Sequence, residues 1–307
     1  MNCGPADTDL NSYTAHMMMP IRERKNKMHI HISTIAENTA SWLGFLAEWG
    51  ISVLVEADDT SVLLDTGRSI VAAHNALLMD IDLRKINTIV FSHGHEDHTG
   101  GLVNLLKLRK TPIEIIAHPD VWAKKYWKAS DEDRYNHIGI PYARELAESL
   151  GASFRLSKEP VWITEKIVTS GEIPMITDYE TIDTSACVKT DTGFSQDPLR
   201  DDLSLFIKSD KGLIVVAGCA HRGIINTLLH AQKLTGCEDI YSVIGGIHLF
   251  GATDERLQRT IEELKRLNVQ RIGVSHCTGP YAGARLSQEF GDRFFFNQAG
   301  TRTVFDV

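Results

Sequence analysis

The chain has 307 residues, 43% of them hydrophobic and 23% charged, with a formal charge of −8. That length supplies one large α/β domain or two small ones with ample core, in an ordinary globular composition. The negative balance argues against general nucleic-acid or membrane-surface binding, and no apolar run approaches membrane-spanning length. The cysteines, Cys3, Cys187, Cys219, Cys237 and Cys277, are scattered and odd in number, so they imply no disulfide framework and suit a reducing cytoplasm.

Residues 1–27 read as a flexible extension outside the fold. Met17-Met18-Met19 is too short for the apolar centre of a signal peptide, and the charged Arg22-Glu23-Arg24-Lys25 follows it rather than preceding it. His29 to Ile35 reads as the first strand, with His29 and His31 structural on one face. Trp42 to Trp49 is a loop or short turn whose tryptophans pack in the core or, alternatively, touch a substrate. Ile51–Glu56 and Ser61–Leu64 form a strand, turn and strand. Asp65-Thr66-Gly67 ends the second of these. Asp65 either accepts a hydrogen bond from a metal-ligating histidine or caps a helix starting near Ser69; both readings stand. A helix is expected over 69–79.

Thr88-Ile89-Val90-Phe91 is apolar and β-branched, the mark of a buried strand. It delivers Ser92-His93-Gly94-His95-Glu96-Asp97-His98-Thr99-Gly100-Gly101. Open α/β sheets bind their ligands at the C-terminal ends of such strands. Imidazole nitrogen and carboxylate oxygen are donors that zinc prefers and that iron or manganese accept. His93 and His95 suit one ion; Asp97 and His98 suit a second. Gly94 keeps side-chain bulk out of the turn, and Glu96 points to solvent or to a partner behind the ligands. The helix opening at Leu102–Leu106 is expected to turn its N-terminus toward the ions, where an anion would be favoured. Strand Ile113–Ala117 leads to His118, either structural or a strand-end ligand type.

Residues 119–200 have weaker periodicity and read as a cap or insertion over the rim of the site. Within it, Trp122-Ala123-Lys124-Lys125-Tyr126-Trp127-Lys128 interleaves cations with aromatics. Trp122 and Lys125 are candidate substrate contacts; the alternative is an ordinary amphipathic helix. Beyond it, Leu203–Lys208 and Leu213–Ala217 form a hairpin followed by Gly218-Cys219-Ala220-His221-Arg222-Gly223 and a helix over Ile224–Leu234. Strand Ile240–Ile244 runs into Gly245-Gly246-Ile247-His248, a helix over Asp254–Leu267 follows, and strand Arg271–Ser275 runs into His276-Cys277-Thr278-Gly279. Four times a short apolar strand ends in a small residue and a histidine. Two packed sheets with these ends on one rim would gather all four loops.

The pattern His93-x-His95-x-Asp97-His98, followed by Thr99-Gly100-Gly101 and preceded by Val62–Gly67, resembles the signature of the metallo-β-lactamase superfamily. The later motifs around Cys219-Ala220-His221, Gly245–Leu249 and His276–Gly279 resemble its branch of dihydropterin–(ribofuranosyl)aminobenzene phosphate synthase-like proteins, over roughly residues 29–305. The resemblance implies an α/β fold, the αββα sandwich of two mixed sheets with helices on the outer faces. It implies two divalent ions, zinc first, with manganese or iron as alternatives. By the same resemblance His276 completes the second ion's ligands. Cys219 stands where the superfamily usually carries a bridging aspartate, so it is either a thiolate ligand or a small buried residue. His221 replaces the missing intermediate histidine for the first ion.

The implied function is that of a metal-dependent hydrolase or transferase, binuclear, acting through a metal-bound hydroxide on a small substrate that is phosphorylated or pterin-like. Asp97 and His248 are its candidate catalytic residues, with Arg222 joining Trp122 and Lys125 as substrate contacts. The alternatives are an iron-dependent oxidoreductase on the same ligands or a ligand-binding module without catalysis.

Overall fold

Strands form where the β-branched runs fall. The computed structural model describes Met1, residues 29–130 and residues 134–306, so the expected extension lies, Met1 apart, outside the described residues. In chain order the first strands are β1 (His29–Ala36), β2 (Ser52–Ala57), β3 (Thr60–Leu64), β4 (Thr88–Val90), β5 (Ile113–Ala117), β6 (Lys125–Lys128), β7 (Tyr135–His137) and β8 (Ala152–Leu156). Then come β9 (Ile167–Thr169), β10 (Ala186–Thr190), β11 (Gly193–Gln196), β12 (Ser204–Ser209), β13 (Gly212–Ala217), β14 (Ile240–Gly245), β15 (Arg271–Val274), β16 (Phe294–Phe296) and β17 (Arg302–Asp306). The helices are α1 (Val71–Leu78), α2 (Glu96–Thr99), α3 (Leu102–Arg109), α4 (Arg144–Ser149), α5 (Ile224–Thr235), α6 (Asp254–Arg266) and α7 (Pro280–Phe290).

A seven-stranded sheet has the order β17-β1-β2-β3-β4-β5-β8, and a six-stranded sheet the order β16-β15-β14-β13-β12-β9. Val53, Val55, Val62, Leu64, Val90 and Ile116 of the first face Leu205, Ile207, Ile214, Val216 and Ile244 of the second in one buried cluster. Alternate residues of the first sheet, Leu54, Leu63, Ile89 and Ile115, pack outward with Leu102, Leu105 and Ala147 of the helices. The second sheet's outer face packs Val215 and Val243 with Ile225 and Leu228 of α5, Leu257 and Ile261 of α6, and Leu286 of α7. Strand period two against helix period 3.6 thus builds four layers: an αββα sandwich.

The run β3-β4-β5-β8 is parallel, and so is β13-β14-β15-β16. Parallel strands end on one side, which sets the loops after β3, β4, β13, β14 and β15 along a common rim. Two backbone bonds stitch neighbouring loops of that rim: Leu203 N–H donates to Ser92 C=O at 2.7 Å, and Gly246 N–H donates to Gly218 C=O at 3.2 Å.

The stretch 119–200 is less separate than its weak periodicity suggests. β8 is an edge strand of the seven-stranded sheet and β9 of the six-stranded one; only β11-β10-β6-β7 form a small sheet of their own. Residues 122–128 are correspondingly no helix. After a short 3-10 turn at Pro119–Trp122 the chain extends as β6, paired with β10 and β7. Lys125 is fully buried, its Nζ donating to Asp197 at 2.6 Å and to Asp201 at 2.9 Å. The other Asp201 oxygen accepts from Gly94 N–H at 2.9 Å, so the cap's buried cation holds the metal-type loop. Removing one member of a buried ion group leaves the rest unpaired in a poor solvent. Lys125→Met is therefore expected to lower stability by ~3–5 kcal/mol, read as an earlier midpoint in denaturant unfolding; an unchanged midpoint would refute that assignment.

Candidate metal centre

The loop after β4 is built around glycine. A Cβ on Gly94 would stand 2.2 Å from Val121 C=O, so no other residue lets β4 turn beneath the cap at that distance. The turn sets His93 Nε2 2.9 Å from His95 Nδ1, and the loop after β13 brings His221 Nε2 to 3.2 Å from His93 Nε2. A second triad stands beside it: Asp97 Oδ2 is 3.2 Å from His276 Nε2 and 3.9 Å from His98 Nε2. Cys219 Sγ lies 3.1 Å from the same His98 nitrogen. His93, His95 and His221 form one group of converging ligand atoms, and Asp97, His98 and His276 another. These are the His, Asp and Cys positions expected as ligands from sequence, gathered from three loops.

Hydrogen bonds on the far side of each ring assign its free nitrogen. His98 Nδ1 donates to Asp65 Oδ2 at 2.6 Å, and His276 Nδ1 to Asn38 Oδ1 at 2.9 Å. His93 Nδ1 meets Ser92 Oγ at 2.9 Å, whose own proton goes to Asp65 Oδ2 at 2.7 Å. The inner Nε2 atoms of His93, His98 and His276 are left turned toward one another. Packed imidazole lone pairs are what a cation requires and what an apolar core would avoid, so the residues fit divalent metal.

Electrostatics agree. Burial, helped by neighbouring cationic groups, pushes His93 and His221 well below the ordinary imidazole range, and burial does the same to His95 against the pull of Asp97; all three are neutral, the ligating form. Burial works against charge on Asp97, yet the neighbouring His98 and His276 outweigh it and hold its carboxyl below the usual range. Burial disfavours charge on His98 too, but Asp65 and Asp97 raise it to about 9, so without an ion its inner nitrogen holds a proton that a bound cation would displace. Burial pushes the Cys219 thiol up, a shift that a bound cation reverses.

Asp65 is the acceptor behind a ligand histidine, and its carboxylate makes no contact with α1; besides His98 it accepts from Ser92 N–H at 2.7 Å. His248 sits with its ring 4.1 Å from that of His221, its Nδ1 buried and without a partner. The three expected substrate contacts are placed otherwise. Lys125 is held by its two carboxylates. Trp122 packs edge-on against Phe154 at 5.2 Å and Tyr142 at 6.3 Å beneath the outer helices. Arg222 donates through Nε to Ile173 C=O and through Nη1 to Pro198 C=O, so its guanidinium serves the backbone.

The helix N-termini by the rim are also engaged within the chain. The short α2 precedes α3, and Gly100-Gly101 lie against the backbone of Thr66–Ser69, with Gly101 N–H donating to Gly67 C=O at 3.0 Å. At α5 the buried Glu180 carboxylate accepts from Ile225 N–H at 3.0 Å and Asn226 N–H at 2.8 Å. The expected anion position at α3 is thus filled by backbone.

A family profile described as the Metallo-beta-lactamase superfamily matches residues 51–224. The chain belongs to the metallo-β-lactamase superfamily. A Methanocaldococcus jannaschii protein named 7,8-dihydropterin-6-methyl-4-(beta-D-ribofuranosyl)-aminobenzene-5'-phosphate synthase is 34% identical over 295 residues, covering 92% of this chain and 98% of its own. An uncharacterised protein of the same organism is 33% identical over 259 residues, 84% of this chain and 94% of its own. Among solved structures, a metal-dependent hydrolase of the β-lactamase superfamily superposes with a TM-score of 0.78 at 27% identity, over 91% of this chain and 100% of that one. YhfI from Bacillus subtilis shares the fold, with a TM-score of 0.57 at 14% identity over 91% and 100% of the two chains.

Several residues of this site carry no signal in the sequence. Glu37 accepts from His276 N–H at 2.6 Å, and Asn38 fixes the His276 ring, yet both lie in an unremarkable loop after β1. Phe250, which the sequence does not mark, meets Trp49 at 5.8 Å on the rim; Trp49, from the loop whose tryptophans the sequence offers as core or substrate contacts, is 5.1 Å from the His276 ring. Ser92 could have been found, because it adjoins His93 and faces Asp65. Partners that orient a ligand histidine typically matter ten- to a hundredfold in metal affinity. Asp65→Asn is expected to weaken zinc binding by about that factor, measured by competition with a chromophoric chelator; unaltered affinity would contradict the role assigned to Asp65.

Proposed function

We propose that the protein is a metal-dependent hydrolase or transferase with two ion positions, acting on a small phosphorylated or pterin-like substrate. The observation that carries this reading is the contact of two ligand triads, His93/His95/His221 and Asp97/His98/His276, in one buried pocket. Bound there, two divalent ions would supply Lewis acidity and a nucleophile from water near neutral pH. The imidazole, carboxylate and thiol donors favour zinc, with manganese or iron as alternatives.

The chain's own groups have distinct tasks. Asp97, kept ionised, accepts a proton at a carboxylate oxygen from the attacking group. His248, with its unpartnered Nδ1 beside His221, gives a proton to the leaving oxygen. Trp49 and Phe250, 46% and 62% exposed, offer faces to a planar ring. That fits the pterin in the product for which the M. jannaschii relative is named. The thiols of Cys187, Cys219, Cys237 and Cys277 are all free, in keeping with a reducing cytoplasm. Among the described residues no helix is long and apolar enough to cross a membrane.

The test is turnover by zinc-loaded protein given a 7,8-dihydropterin carrying a 6-methyl diphosphate ester as leaving group and an aminobenzene ribofuranoside 5'-phosphate, with mass spectrometry separating a joined product and released diphosphate from simple hydrolysis. His93→Ala and Asp97→Ala should each lower turnover by two or more orders of magnitude, on the order of a lost Lewis-acid contribution, with circular dichroism unchanged. Full activity in both variants would refute the metal chemistry. Trp49→Ala is expected to raise KM about two- to tenfold at nearly constant kcat, the worth of one aromatic contact; an unchanged KM removes Trp49 from the substrate site.

A further inference from the structure

Behind the second triad lies a sulfur pair that the reading above does not use. Cys219, after β13, and Cys277, after β15, reach across the end of β14, and their sulfur atoms lie within 4.8 Å of each other. Both are 3% exposed. They meet there because the residue between them is glycine: a Cβ on Gly246 would stand 2.7 Å from Cys277 Sγ and 3.3 Å from Cys219 Cα. Together with His276, which precedes Cys277 in the chain, their ligand atoms form a third buried group with mutual separations within 4.8 Å.

The surroundings of Cys277 are those of a ligand sulfur. His248 N–H points at Cys277 Sγ from 3.3 Å, and backbone amides aimed at sulfur stabilise the charged, metal-binding form. Its own proton points to the Cys219 carbonyl, 3.5 Å away. In a packed apolar core neither an amide nor a second sulfur is needed beside a small buried thiol.

We propose that Cys277 is a metal ligand, and that Cys219, Cys277 and His276 form a position for a thiophilic ion such as zinc, cadmium or copper(I) within the centre. This rests on the reading of the pocket as a metal centre. On binding, each S–H bond is replaced by a sulfur–metal bond and its proton passes to solvent. Two thiolates and an imidazole are softer than a carboxylate-bridged set, so this position selects against manganese and magnesium.

Cadmium tests it without reference to turnover. Metal-free full-length protein is titrated with cadmium ion while the ultraviolet sulfur-to-cadmium charge-transfer band is followed, and the cadmium X-ray absorption edge of the wild type is fitted for sulfur neighbours. The expected result is two sulfur neighbours on one ion, with Cys277→Ser and Cys219→Ser each lowering the band by about half. One sulfur neighbour in the wild type, or an undiminished band in Cys277→Ser, would overturn the role of Cys277 while leaving the metal centre standing. No cadmium uptake at all would overturn both. The wild-type absorption edge decides even where a serine variant fails to fold.

Discussion

The structure depends on one buried carboxylate. Asp65 ends β3, and its two oxygens take hydrogen bonds from Ser92 N–H, Ser92 Oγ–H and His98 Nδ1–H. A charge taken fully out of water is tolerated only when its lone pairs are met, so the end of β4 must come to the end of β3. His93 is fixed through Ser92, and His98 directly. The β13 loop is then drawn onto the same place: a Cβ on Gly218 would stand 2.7 Å from Asp65 Oδ2 and 2.2 Å from Ser92 Oγ. The ligand-type side chains are held by this lattice of short bonds.

Such precision has a conformational cost. Asp65, Ala220, His248 and His276 all adopt positive φ, at 60°, 52°, 44° and 51°. Left-handed backbone at residues other than glycine costs of order 1–3 kcal/mol each and persists where packing dictates it. All four residues lie where a rim strand turns into a functional loop. The strain is what turns a strand end sharply enough to point its side chain into the pocket rather than along the sheet.

Much of this was legible in the sequence, for a reason that can be stated by residue. Thr88–Phe91 announces a buried strand, and the histidine cluster after it leaves no structural alternative. The recurrence of strand, small residue and histidine at Cys219–His221, His248 and His276 foretells the rim. The αββα layers follow from strand and helix periods, and Asp254–Arg266 forms the expected amphipathic helix nearly to the residue. What failed was local. Trp122–Lys128 shows cations and aromatics in order, but composition does not reveal that Lys125 will be buried between Asp197 and Asp201, some seventy residues on. Likewise Asn38 and Glu37 reach His276 across 238 and 239 positions of chain, a separation over which no spacing rule operates. The meeting of Cys277 with Cys219 has no sequence signal either, because 58 positions of chain separate them.

Glu180 at the start of α5 has an effect on discrimination. Its carboxylate occupies the positive end of that helix dipole and uses up the amides of Ile225 and Asn226, so an incoming oxyanion finds there a fixed negative charge. Arg222 and Lys125 are likewise committed inside the chain. The positive end of α5 is thus spent on the fold itself, and whatever the rim recognises must be gripped elsewhere along it.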